Sequence, residues 1–311
     1  MTILSYMIAY CGIAIFLVAV LTRFLTWSKM PMHLRWELYP VAHEGGGRAA
    51  YGGSYLENSE WWTRDREVSL IGEVKAMVPE IMFLVALKEH NQKLWTRSFP
   101  FHFGLYLVAA CTIVMIVAGI LGALLPGVMA GAVGGIVGIL IPVIGYVGLV
   151  LGLIGAFGLI HRRRSRPLRD YTAPMDVVNL VFFVVAFGFA LSTALIVDRD
   201  FSIVSEFVAN LVTFNVSALP VAGFGASLPY ISAILLAALV AYIPLTHMSH
   251  FVGKYFAYHS IRWADEPNLP GGGEEAKINE LLNQPVSWSA PHIKGDGKKT
   301  WLDVATEDQK K

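Results

Sequence analysis

Residues 241–255 read AYIPLTHMSHFVGKY: a long apolar run closes on two histidines three residues apart, His247 and His250, and then meets Lys254. A histidine inside an apolar segment of membrane length is costly to place and marks a functional position by default. Its counterpart is His102, near the start of another apolar run, SFPFHFGLYL at residues 98–107. Two such imidazoles, one from each of two helices, can take both axial positions of a low-spin b-type haem. That pairing requires the two helix ends to lie on the same membrane face.

The composition supplies the setting. Apolar residues make up 55% of the chain and charged residues only 15%, with a mean hydropathy of +0.55. These values lie outside the range of soluble domains and indicate an integral membrane protein. The net charge of +1 gives no bias toward nucleic acid or an acidic substrate. Cys11 and Cys111 both fall inside apolar runs, where free cysteine behaves as a small hydrophobe. They form no disulfide framework, zinc site or iron–sulfur motif, so any iron–sulfur centre belongs to another subunit.

Apolar runs at residues 3–25, 101–125, 129–160, 175–197 and 229–252 are each long enough to cross a bilayer, which takes roughly 20 helical residues. The expected fold is an all-α integral membrane protein, a bundle of five transmembrane helices. The first run lacks the basic leader and cleavage site of a signal peptide and is read as an uncleaved helix. The third holds Pro142 in a glycine-rich stretch and is expected to tilt or kink. Residues 27–99 carry nine Lys and Arg, and HRRRSRPLRD after the third run carries five. The connections at 126–128 and 198–228 carry only Arg199. By the positive-inside bias the N-terminus is outside and the C-terminus cytoplasmic, which brings His102 and His250 to cytoplasmic helix ends. The parts are then a first span at 1–26, a cytoplasmic connection at 27–99, a four-helix core at 100–256 and a cytoplasmic tail at 257–311. A competing span at residues 68–87 contains Glu73, Lys75, Pro79 and Glu80, so 68–90 is read as an amphipathic helix at the interface.

Depth separates the two late histidines. His102 lies five residues inward from Arg97, His250 four inward from Lys254 and His247 seven, nearly a turn deeper on a continuous helix. His102 and His250 are therefore the expected haem ligands, with His247 the alternative. The plain reading is a pair of interfacial histidines. Small neighbours, Gly104 beside His102 and Ser249 and Gly253 beside His250, favour a porphyrin lodged between helices, and Pro244 can bend the last span toward its partner. His161, among arginines, reads foremost as part of a topology-setting basic cluster, whose arginines could also serve propionates or an acidic partner. His90 with Lys88 could serve a quinone headgroup but reads better as a solvated cluster. His259, in AYHSIRW, is read as lying outside the hydrocarbon, and His33, His43 and His292 carry no such signal.

No Asp, Glu, Lys or Arg lies in the central part of spans two to five, which disfavours a charge-lined ion pathway. The competing function is a haem-free helical anchor or transporter subunit whose glycines only permit close packing. The aromatic connection containing WELYPVAHE, GGSYLE and SEWW, and the tail, with a short helical stretch around residues 276–282 and then Trp288 and Trp301, are expected to dock partners.

FPFHFG, HRRRSRPLRDYTAPMD and AYIPLTHMSHFV, in that order, resemble the gamma-subunit family of respiratory nitrate reductase, over the four spans from His102 to Phe256. The resemblance implies a cytochrome b subunit carrying electrons between quinol and a cytoplasmic iron–sulfur partner, with His102 and His250 ligating the haem nearer the cytoplasm. The family's second haem would need histidines near Thr112 and Ser232, so one haem b is expected. The first connection resembles cytochrome b subunits of membrane redox complexes in sulfate-reducing anaerobes. That likeness implies menaquinone, a partner resembling the iron–sulfur subunit of heterodisulfide reductase, further subunits such as a periplasmic cytochrome c, and a prokaryotic cytoplasmic membrane. A quinone site is expected in the inner half near this haem. FSIVSEFVANLVTFNV at residues 201–216 reads as an amphipathic helix and is the competing wall of an outer quinone pocket.

Overall fold

In the computed structural model, residues 1–30, 44–51, 54–65, 67–166, 168–263, 268–290, 293 and 295–307 are described. His33, His43, His292 and most of WELYPVAHE lie outside them. The helices are α1 (Thr2–Lys29), α2 (Leu70–Phe83), α3 (Val85–His90), α4 (Gln92–Leu124), α5 (Pro126–Met129), α6 (Ala132–Arg164), α7 (Pro174–Ile196), α8 (Ser202–Val212), α9 (Leu228–Tyr242), α10 (His250–Phe256), α11 (Gly273–Leu282) and α12 (Trp301–Thr306). Five stretches among the described residues have the length and composition to cross a membrane: α1, α4, α6, α7, and α9 extended to Leu245. The expected five-span, all-helical architecture is thus observed, with no strand beyond isolated bridges such as Glu44 to Val68 among the described residues. Helix α2, 14 residues long, ends at Leu84, whose φ of 52° turns the chain out of helical geometry.

The chain divides into two compact units: residues 1–18 with 78–246, and residues 19–77 with 247–311. In the first, α4 and α6 approach backbone to backbone. A Cβ at Gly104 would be driven into the backbone of Gly148 and Gly152, and one at Gly155 into that of Phe101. Between membrane helices, where lipid is as apolar as leucine, such close approach is a main source of association. Phe101, Phe183 and Phe187 form an edge-to-face chain with centroid distances of 5.0 and 5.8 Å, which ties α7 to this pair. Polar side chains in the span interior are paired across helices: Tyr242 donates to Asn179 at 2.7 Å, and Tyr146 donates to the Ala194 carbonyl at 3.0 Å. Pro142 leaves α6 helical from end to end.

In the second unit, Phe24 and Trp27 of α1 pack on Phe256, at 5.2 and 6.3 Å between centroids. Trp263, 2% exposed, meets Tyr258 at 5.0 Å. Glu44, 3% exposed, accepts from the Ser54 hydroxyl at 2.6 Å and from the Tyr55 N–H at 2.7 Å, so its buried charge is well bonded. The tail carries α11, as expected from residues 276–282. It also forms α12, which begins with Thr300 and Asp303 capping each other, a sequence signal for a helix start.

Substituting Gly104→Val should lower the thermal unfolding midpoint of the detergent-solubilised chain, at a cost of about 1–3 kcal/mol typical of overpacking. Gly138→Ala, where an added Cβ meets nothing within 4 Å, should leave the midpoint unchanged or raised.

Candidate functional site

His102 lies in α4, ten residues on from its first residue, Gln92. Its Nδ1–H donates to the Ser98 carbonyl at 2.8 Å, with the Ser98 hydroxyl 3.2 Å from the same nitrogen. The ring is half-buried and edge-to-face with Phe101 at 5.5 Å. A neutral imidazole that donates from Nδ1 carries its lone pair on Nε2, and a carbonyl on the second nitrogen is the usual orienting partner of a ligating histidine. In that tautomer Nε2, not Nδ1, is the nitrogen that could serve as a ligand. The i−4 spacing of Ser98 was available in the sequence, but only the ring's rotamer selects that carbonyl.

His250 repeats the arrangement in the second unit, where its Nδ1 lies 3.3 Å from the His247 carbonyl. The local backbone differs from the sequence expectation. The fifth span does not run to Val252: α9 ends at Tyr242, a 3-10 turn covers Ile243–Leu245, Thr246 is extended with φ −113° and ψ −177°, and α10 starts at His250. Pro244 cannot donate to the helix ladder, and the extended Thr246 completes the break. Counting depth at a helical rise from Lys254 to His247 therefore fails. His247 is in a separate 3-10 turn, His247–Ser249, and supplies the carbonyl that orients its neighbour.

The small residues beside the histidines also have a different role from the one expected. The space at Gly104 is taken by the α6 backbone, and that at Gly253 by the Trp27 ring, 3.1 Å from an added Cβ. Helix packing, not room for a porphyrin, uses both. Arg163, in the last turn of α6, pairs with Asp176 at 2.7 Å, which ties the end of α6 to the start of α7. His161 and His90 are exposed. His259 lies 3.5 Å from Glu73 and 4.4 Å from the Tyr255 ring.

A cavity of about 250 Å³ opens within the first unit, and both Thr112 and Ser232 line it. Asp198 lies at its edge and accepts from the N–H groups of Ile203 and Val204 at 2.9 Å each, capping α8. Burial raises the Asp198 carboxyl above its ordinary pKa against the pull of those two bonds. The amphipathic stretch after it is α8, as expected, and Phe201, Val204 and Phe207 face this cavity. Sequence reasoning missed Asp198, although an aspartate just before an amphipathic run is a helix-start signal.

Among the described residues no group of three or more His, Cys, Asp or Glu is placed to hold a bare metal ion; axial ligation of a haem asks for single imidazoles from separate helices. No curated protein and no solved structure matches the chain. The profile of the family described as nitrate reductase gamma subunit matches residues 87–264, a stretch that contains His102, His247 and His250 and exceeds half of the 311 residues. This chain belongs to the nitrate reductase gamma-subunit family, the haem b membrane subunits of electron-transfer complexes.

Proposed function

We propose that the protein carries electrons between menaquinone and a cytoplasmic iron–sulfur subunit through a single haem b held by His102 and His250. The observation that carries this reading is the shared pose of the two rings, each with Nδ1 against a backbone carbonyl about one turn earlier. The bias of Lys and Arg among the connections supports an outside N-terminus, with these histidines on the cytoplasmic side of a prokaryotic membrane. When bound, the haem supplies a reversible one-electron centre. Ser98 and His247 would hold the imidazoles in the ligating tautomer; His102 is half-buried and His250 exposed.

The partner we infer resembles the iron–sulfur subunit of heterodisulfide reductase, docked on the aromatic first connection and the tail. The quinone ring is assigned to the inner half. Its support is a ladder on α4 in which Trp95 stacks on Phe99 at 4.8 Å and Phe99 on Phe103 at 5.4 Å. Lys88 lies over the Trp95 ring at 5.4 Å. This flat aromatic surface ends beside His102 and suits a planar headgroup.

His102→Ala and His250→Ala should each abolish the reducible low-spin spectrum, and His247→Ala should keep most of it, because the group that orients His250 is the His247 backbone carbonyl. Full low-spin haem in both of the first two variants would reject the assignment. Because threonine and serine stand where the family's outer histidines would be, pyridine extraction should recover one haem per chain; two would redirect attention to His247, His161 and His259. A photoreactive quinone should label the region of His102, Tyr106, His161 and His250. Labelling confined to residues 197–230 would place the ring on the other side and overturn the inner site.

A further inference from the structure

We propose that the cavity between α1, α4, α7, α8 and α9 is a binding site for one lipid hydrocarbon chain, and that it does not accept a quinone headgroup. Its position is set within the first unit. Thr112 lies ten residues along α4 from His102, about 15 Å at a helical rise, so the site is separate from the ligating histidine.

The lining decides what it takes. Most of its walls are aliphatic or aromatic, and its few side-chain donors are already committed. Thr112 donates to the Val108 carbonyl at 2.9 Å and the Cys111 thiol to the Ile141 carbonyl at 3.4 Å. Thr193 donates to the Phe189 carbonyl at 2.9 Å. The Ser232 hydroxyl, 2.7 Å from that of Thr193, must then be the donor of their pair. A quinone offers carbonyl acceptors and would find no hydroxyl proton here, so burying its headgroup would leave those acceptors unpaired. A saturated or prenyl chain asks for no hydrogen bond.

Access favours the same occupant. Of the lining residues Ile13, Thr112 and Val240 are exposed, the first two well inside α1 and α4, whereas Thr193, Ser232 and Phe207 are buried. The mouth therefore opens where bilayer hydrocarbon surrounds the helices. Water gains little in so apolar a space, and leaving it empty forfeits dispersion contacts along every wall.

The test uses the full chain, purified and washed to constant phosphorus in a delipidating detergent, with retained lipid identified by mass spectrometry. About one lipid per chain should remain. Leu236→Trp and Ala190→Phe, which fill the cavity from two different helices, should each cut retention at least fivefold with unchanged helical circular dichroism and elution volume. A retained phospholipid identifies an acyl chain as the occupant and a retained isoprenoid quinone its prenyl tail; both uphold the site. As a measurement independent of folding of the variants, a phospholipid with a diazirine on its acyl chain should label α7 and α9 of the unmodified protein above the level at the lipid-facing Ile136 and Ile139. No retained lipid, or equal retention by both filled variants, would overturn the proposal, as would labelling no higher than at Ile136 and Ile139.

Discussion

The structure of the first unit depends on the contact between α4 and α6. A bilayer offers no water to backbone groups and little hydrophobic gain for one apolar helix meeting another. Close packing must supply the association, and glycine is the residue that lets two backbones touch. Gly104, Gly148, Gly152 and Gly155 form that contact. His102 is two residues from the first of them, so the same approach that joins the helices fixes the height and azimuth of the ring.

Several of the few polar groups in this environment are placed between helices. Asn179 with Tyr242 and Thr193 with Ser232 link α7 to α9, and Tyr146 links α6 to the end of α7. Interhelical bonds of this kind are worth about 0.6–2 kcal/mol each, less than packing supplies, but they select one register among several that packing alone would tolerate. Ser232 illustrates how one position serves either chemistry or packing. The family resemblance would call for an imidazole here; the hydroxyl instead completes a chain of hydrogen bonds that ends on a backbone carbonyl, and a cavity stands beside it.

At the end of the fifth span the balance is different. A regular helix would place His247 and His250 on a common axis three residues apart. Pro244 and the extended Thr246 interrupt that axis, so His250 becomes the first residue of a new helix and His247 a turn residue whose carbonyl faces it. The break gives the two histidines different roles despite identical side chains.

The sequence by itself determined the features that depend on local composition. Long apolar runs identified five spans because hydrocarbon excludes charge over a fixed thickness, the period of residues 201–216 identified α8, and two histidines at the edges of apolar runs identified the candidate ligands. Tertiary structure alone decided what depends on neighbours distant in the chain. Gly104 and Gly253 looked like room for a cofactor, yet the α6 backbone and Trp27 occupy those spaces. No periodicity reveals which helix face another backbone will meet. The orienting carbonyl of Ser98, the cap formed by Asp198 and the cavity at Thr112 and Ser232 arise in the same way, from rotamers and packing that are set only when the helices have come together.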